Sequence, residues 1–88
     1  MPTYIISYDL RKPGRNYDEL YKAIKNYPNW AKVNESVWAV VSAGSAVQVR
    51  DFIMKYVDAN DSVFVIKSGL EAAWHNTICE SAWLKKNL

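Results

Sequence analysis

The sequence predicts an α+β domain in the order strand, helix, strand, strand, helix, strand. Three observations predict it. Short β-branched and aromatic runs open the chain and recur at Ser36–Ser42 and Ser62–Lys67. Two segments carry apolar residues at i, i+3, i+4 and i+7, the period of a half-buried helix. Each of those segments follows a strand and is preceded by turn and capping residues.

The first strand is Thr3-Tyr-Ile-Ile-Ser-Tyr8, with Tyr4, Ile6 and Tyr8 on one face and Thr3, Ile5 and Ser7 on the other. Asp9-Leu10 leaves it, and Arg11-Lys12-Pro13-Gly14-Arg15 reads as a basic turn. Asn16 is the expected N-cap of the first helix, with Glu19 placed to complete a capping box. Tyr17, Leu20, Tyr21 and Ile24 form its apolar stripe, and Tyr27-Pro28 ends it. Trp30–Val33 and Ser36–Ser42 are strands joined by an Asn34-Glu35 turn. Ser45 caps the second helix with Gln48 in the reciprocal position, and Val49, Phe52, Ile53 and Tyr56 are its stripe. Asp58–Asp61 is a polar turn. Ser62–Lys67 is apolar at every interior position, which reads as a strand covered on both sides. Residues 70–88 hold Trp74, Ile78, Trp83 and Leu84, too apolar for a free end, with a short helix from Ser81.

Right-handed crossovers place both helices on one face of a four-stranded antiparallel sheet, a ferredoxin-like arrangement of one domain over residues 1–88. The other face then lacks cover, although the first and third strands are apolar on both sides. Burying even about 300 Å² of such a face per protomer is worth several kcal/mol before association costs. A homodimer is the expected solution, with Tyr4, Trp38, Trp74 and Trp83 at its interface and 70–88 as an extension docking on the dimer. An RNA-recognition domain has the same strand order, but its basic and alternating aromatic third strand is absent from Ser36-Val-Trp-Ala-Val-Val-Ser42.

Net charge is +2, too small for general nucleic-acid affinity, but it is uneven: residues 1–34 carry six basic against three acidic side chains. One cysteine, Cys79, excludes an internal disulfide and a multi-cysteine zinc site. No apolar run reaches the length of a membrane span and no signal sequence is evident, so a cytoplasmic protein with no membrane partner is expected.

Ile5-Ile-Ser-Tyr-Asp-Leu10 running into a basic loop and helix resembles the start of Cas2-family proteins. Tyr27, Trp30 and the hairpin into Ser36-Val37-Trp38 resemble that family's second and third strands. Over nearly its full length the chain resembles the small stand-alone Cas2-like proteins of the SinR family. The carrying segments are Ser7–Arg15 with Tyr17, Val47–Asp51, Asp58–Asp61, Ala73-Trp74 and Trp83–Lys85. The resemblance implies a ferredoxin-like homodimer. In nuclease-active members the aspartate ending the first strand meets its dimer mate and holds a divalent metal, and Asp9 has that position. Many members are adaptors without catalysis.

Three functions follow as expectations. The favoured one is a homodimer that binds nucleic acid or nucleotides through Arg11, Lys12 and Arg15, with no cofactor required. The second is a Mg²⁺-dependent endonuclease, acting on RNA or DNA, with paired Asp9 as metal ligand and Ser7 and Tyr8 as assisting hydroxyls. The third is a non-catalytic protein-interaction or regulatory dimer of a defence or toxin-type system. His75 is the only histidine, so one chain has no imidazole pair for acid–base work.

Overall fold

A computed structural model describes residues 1–11 and 16–88. Its elements are β1 (Thr3–Asp9), α1 (Asp18–Lys25), β2 (Asn29–Asn34), β3 (Val37–Val41), α2 (Ala46–Met54), β4 (Ser62–Lys67) and α3 (Ser81–Asn87). The four strands form one antiparallel sheet in the order β2-β3-β1-β4. This is an α+β architecture with three helices, one more than the sequence order of two crossovers requires.

Register decides which apolar residues meet. Tyr4 pairs with Val40 and Ile6 with Trp38, so these four side chains share a face with Tyr8. Leu20 and Ile24 of α1 and Val49 and Ile53 of α2 join them in one buried cluster. Tyr21 stacks on Trp38 with ring centroids 6.3 Å apart. Both helices therefore cover the same face. The Trp38 indole donates to the Tyr8 hydroxyl at 2.9 Å, which satisfies a polar group that burial would otherwise penalise.

The helix starts follow different chemistry. Ser45 and Gln48 form the expected capping box at α2, with mutual bonds of 3.2 and 2.8 Å. Asn16 does not cap α1 as expected. Its side chain accepts from the Asp18 N–H at 2.9 Å in a local turn, and Tyr17 is the capping residue, without a side-chain cap bond. The acidic Asp18 and Glu19 in the first turn and Lys22 and Lys25 in the last suit the helix dipole.

The second face is divided. Ala31 pairs with Ala39, and Ala39 with Ile5, making a strip of mostly small side chains. The C-terminal helix α3 lies over that strip and buries Leu84 completely. Thr3 Oγ1 donates to the Asn87 carbonyl, fixing the helix end to β1. The extension thus docks on its own chain's sheet. The β4 half stays open: Phe64 is 62% exposed and Ile66 51%. This corrects the expectation that β4 is covered on both sides. It is an edge strand whose Val63 and Val65 face the helices while Phe64 and Ile66 face outward. A continuous apolar run arises here because one face is core and the other is bare surface.

Candidate functional site

Asp9 closes β1 opposite Ser62, on the same face as Ser7, Phe64 and Ile66. Its carboxylate is exposed. Arg11 reaches back two residues, and its Nε and Nη2 both approach Asp9 Oδ2 at 3.1 Å. The other terminal guanidinium nitrogen has no partner among the described residues. Arg11 is held from below as well. Its backbone N–H donates to Asp61 Oδ1 at 2.7 Å, across the gap between β1 and β4.

Asp61 is the residue that sequence reasoning missed. Its second oxygen accepts from the Tyr17 hydroxyl and from the Asp58 N–H, each at 2.8 Å. One carboxylate so ties the exit of β1, the entrance of α1 and the turn before β4. Only the Asp58–Asp61 turn was visible as local chemistry; Arg11 is fifty residues away. Lys12 and Arg15, the other two expected phosphate ligands, lie outside the described residues.

The remaining expected residues separate. Ser7 points with Asp9 to the face opposite α1 and α2, but Tyr8 points to the α1 and α2 side. The Tyr8 hydroxyl is occupied by the Trp38 indole, and burial raises its pKa above the ordinary phenol value. Tyr8 therefore does not join Asp9, and its assignment as an assisting hydroxyl is corrected. Tyr4 and Trp38 are also corrected as interface residues: they are 5% and 2% exposed, beneath the helices, and offer a partner no surface. The Tyr4 hydroxyl is spent on the Gly44 carbonyl at 2.7 Å. Trp74 is half-buried beside the open β4 face, lining a cleft with Ile5, Ile66 and Leu84. The Trp83 indole donates to Asn29 at 2.9 Å and holds α3 to β2. His75 is exposed, and Cys79 is a half-buried free thiol.

A hard divalent cation needs several oxygen ligands. Among the described residues no three His, Cys, Asp or Glu side chains gather to hold one. A single chain supplies the carboxylate of Asp9, already engaged by Arg11. No described helix is long and apolar enough to cross a membrane. No protein-family model matches the chain, and no curated protein matches it.

Proposed function

We propose that this chain is a ferredoxin-like, Cas2-like homodimer that binds nucleic-acid phosphates through the loop leaving β1. The carrying observation is Arg11. Its backbone is anchored by Asp61 and its guanidinium is oriented by Asp9, while the side chain stays 56% exposed. An arginine held in that way loses less freedom on meeting a phosphate and offers a planar donor fork. Lys12 and Arg15 follow it in the chain and add to the local positive charge. Strand order β2-β3-β1-β4 with α1 and α2 on one face supports the ferredoxin-like assignment.

The dimer rests on the uncovered half-sheet. Ile5, Phe64 and Ile66 form an apolar surface that continues into a cleft of about 370 Å³ beside Trp74. Asp9 shares that face, so a two-fold pairing there would set both Asp9 side chains at the seam. This favours the endonuclease as the second reading, with Mg²⁺ between the paired carboxylates.

Binding of a fluorescein-labelled oligonucleotide, followed by anisotropy across a salt series, tests the first reading. Arg11→Ala should weaken binding and lower the slope of log K against log[salt] by about 1. An unchanged slope and affinity would remove the loop from the interface. Incubation with Mg²⁺ tests the second: cleavage absent from the wild type, or retained in Asp9→Asn, rejects it.

A further inference from the structure

The edge of β2 carries a second feature, far from the β1 exit. Trp30 pairs with Val40, as does Tyr4, so it stands at the end of the sheet opposite Asp9. Five residues of strand separate these levels, roughly 16 Å at the usual rise. Between this edge and α3 lies a cleft of about 600 Å³, within the usual size of small-ligand sites.

Its walls are fixed. The Trp83 indole donates to Asn29 Oδ1 at 2.9 Å, Asn29 Nδ2 donates to Asn87 Oδ1 at 3.1 Å, and Asn87 Nδ2 donates to the Trp83 carbonyl at 2.9 Å. This closed circuit holds an indole against two carboxamides, each of which keeps one further N–H to offer. The segment before α3 is pinned to the same edge, where the Ile78 N–H donates to the Val33 carbonyl at 2.8 Å. The Trp30 indole, paired across from Val40, turns to the α1 side of β2, where it packs on Trp38 at 5.7 Å beneath the Lys25 ammonium, so Trp83 is the indole that faces the cleft.

Charge narrows the ligand. Lys86 and Glu80 line the cleft, whereas the Lys32 ammonium lies over the Trp38 and Tyr21 rings on the α1 side. Lys32 is engaged by Glu35 at 3.7 Å, whereas Lys86 forms no ion pair among the described residues. A flat indole wall, amide donors and the Lys86 cation at the rim match a planar heteroaromatic ring carrying an anionic group. We propose that this cleft binds a nucleoside monophosphate, its base against the Trp83 indole and the Asn29 and Asn87 amides and its phosphate at Lys86.

The test is a titration of ¹⁵N-labelled protein with adenosine monophosphate, reading the four indole N–H resonances. The Trp83 signal should shift and saturate, while the Trp74 and Trp38 signals stay still. Lys86→Glu should weaken binding by at least about fivefold, the scale of one exposed ion pair, and adenosine without phosphate should bind wild type more weakly by a similar factor. Arg11→Ala separates this site from the β1 loop: loss of the Trp83 shift in that variant would place the nucleotide at the loop and overturn the cleft. No saturable shift below about 10 mM, a dissociation constant weaker than that of most recognised ligands, overturns it outright. So does equal binding by wild type and Lys86→Glu.

Discussion

Replacing Leu84 with alanine removes the one fully buried side chain of α3. Leu84 is 1% exposed, so its side chain loses essentially all contact with water on docking. Large-to-small changes of this kind cost about 2–5 kcal/mol, the spread reflecting how far the surroundings can close in. Here the neighbouring cleft, bordered by Ile5, Ile66 and Leu88, lets side chains relax toward the vacated space, which favours the lower end, about 2–3 kcal/mol. A second limit comes from the helix itself. α3 has seven residues, and a helix so short is marginal without tertiary contact. Once docking is weakened it can detach while the sheet and the other helices persist, so a global unfolding experiment registers less than the full cost. Two measurements together resolve this. Urea denaturation should show a destabilisation of about 1–3 kcal/mol. Hydrogen exchange should show the Leu88 amide, bonded to the Leu84 carbonyl at 3.0 Å, losing protection while amides of β1 and β3 keep theirs. Stability within about 0.5 kcal/mol of wild type, together with unchanged protection at Leu88, would refute the claim that Leu84 fastens α3 to the sheet.

Other perturbations separate the remaining interactions. Asp61→Ala removes an acceptor shared by three donors and should cost about 2–4 kcal/mol by urea denaturation, with oligonucleotide affinity falling as Arg11 loses its anchor. Phe64→Glu places a charge on the open half-sheet; sedimentation should show the proposed dimer converted to monomer, with circular dichroism unchanged. Ser45→Ala breaks the capping box at α2 and should cost about 1 kcal/mol in thermal or urea unfolding. Burial raises the pKa of both Tyr8 and Tyr27 in the folded state, so the native form holds these protons longer than the unfolded chain does. Their contribution is therefore complete below about pH 10 and is lost as pH rises through the folded values. Urea midpoints should fall between pH 9 and pH 11, and Tyr27→Phe should flatten part of that fall.

Much of the local structure was legible because its signals are local. The Ser45–Gln48 capping box, the limits of β4 and the start of α3 at Ser81 are each written within a few residues. Alternation along β1 likewise separated Tyr4, Ile6 and Tyr8 from Ile5 and Ser7. What alternation does not state is which set meets the helices, and Tyr4 and Trp38 were accordingly expected at an interface when they lie in the core. The β4 run posed the same difficulty. Val63 and Val65 are apolar because they face helices, Phe64 and Ile66 although they face outward, and a one-dimensional pattern treats them alike. Of the candidate site, Asp9 and Arg11 were visible as neighbours. Asp61 and the Asn29–Asn87 pair were not, because their bonds span 50 and 58 residues and no periodicity links such positions.

The unequal treatment of the two sheet edges has a consequence for assembly. Protein filaments grow when each copy exposes two complementary ends, so that every addition recreates a place for the next. In this chain the β2 edge is fastened to the segment preceding α3 through Ile78 and Val33. The β4 edge, with its apolar outer face, is the end left available. A molecule with one sticky end can satisfy it only against the like end of a neighbour, and that pairing uses up both. In the proposed dimer, growth would therefore stop at two. Breaking the Ile78–Val33 bond would expose one more backbone acceptor on the β2 edge and weaken that limit.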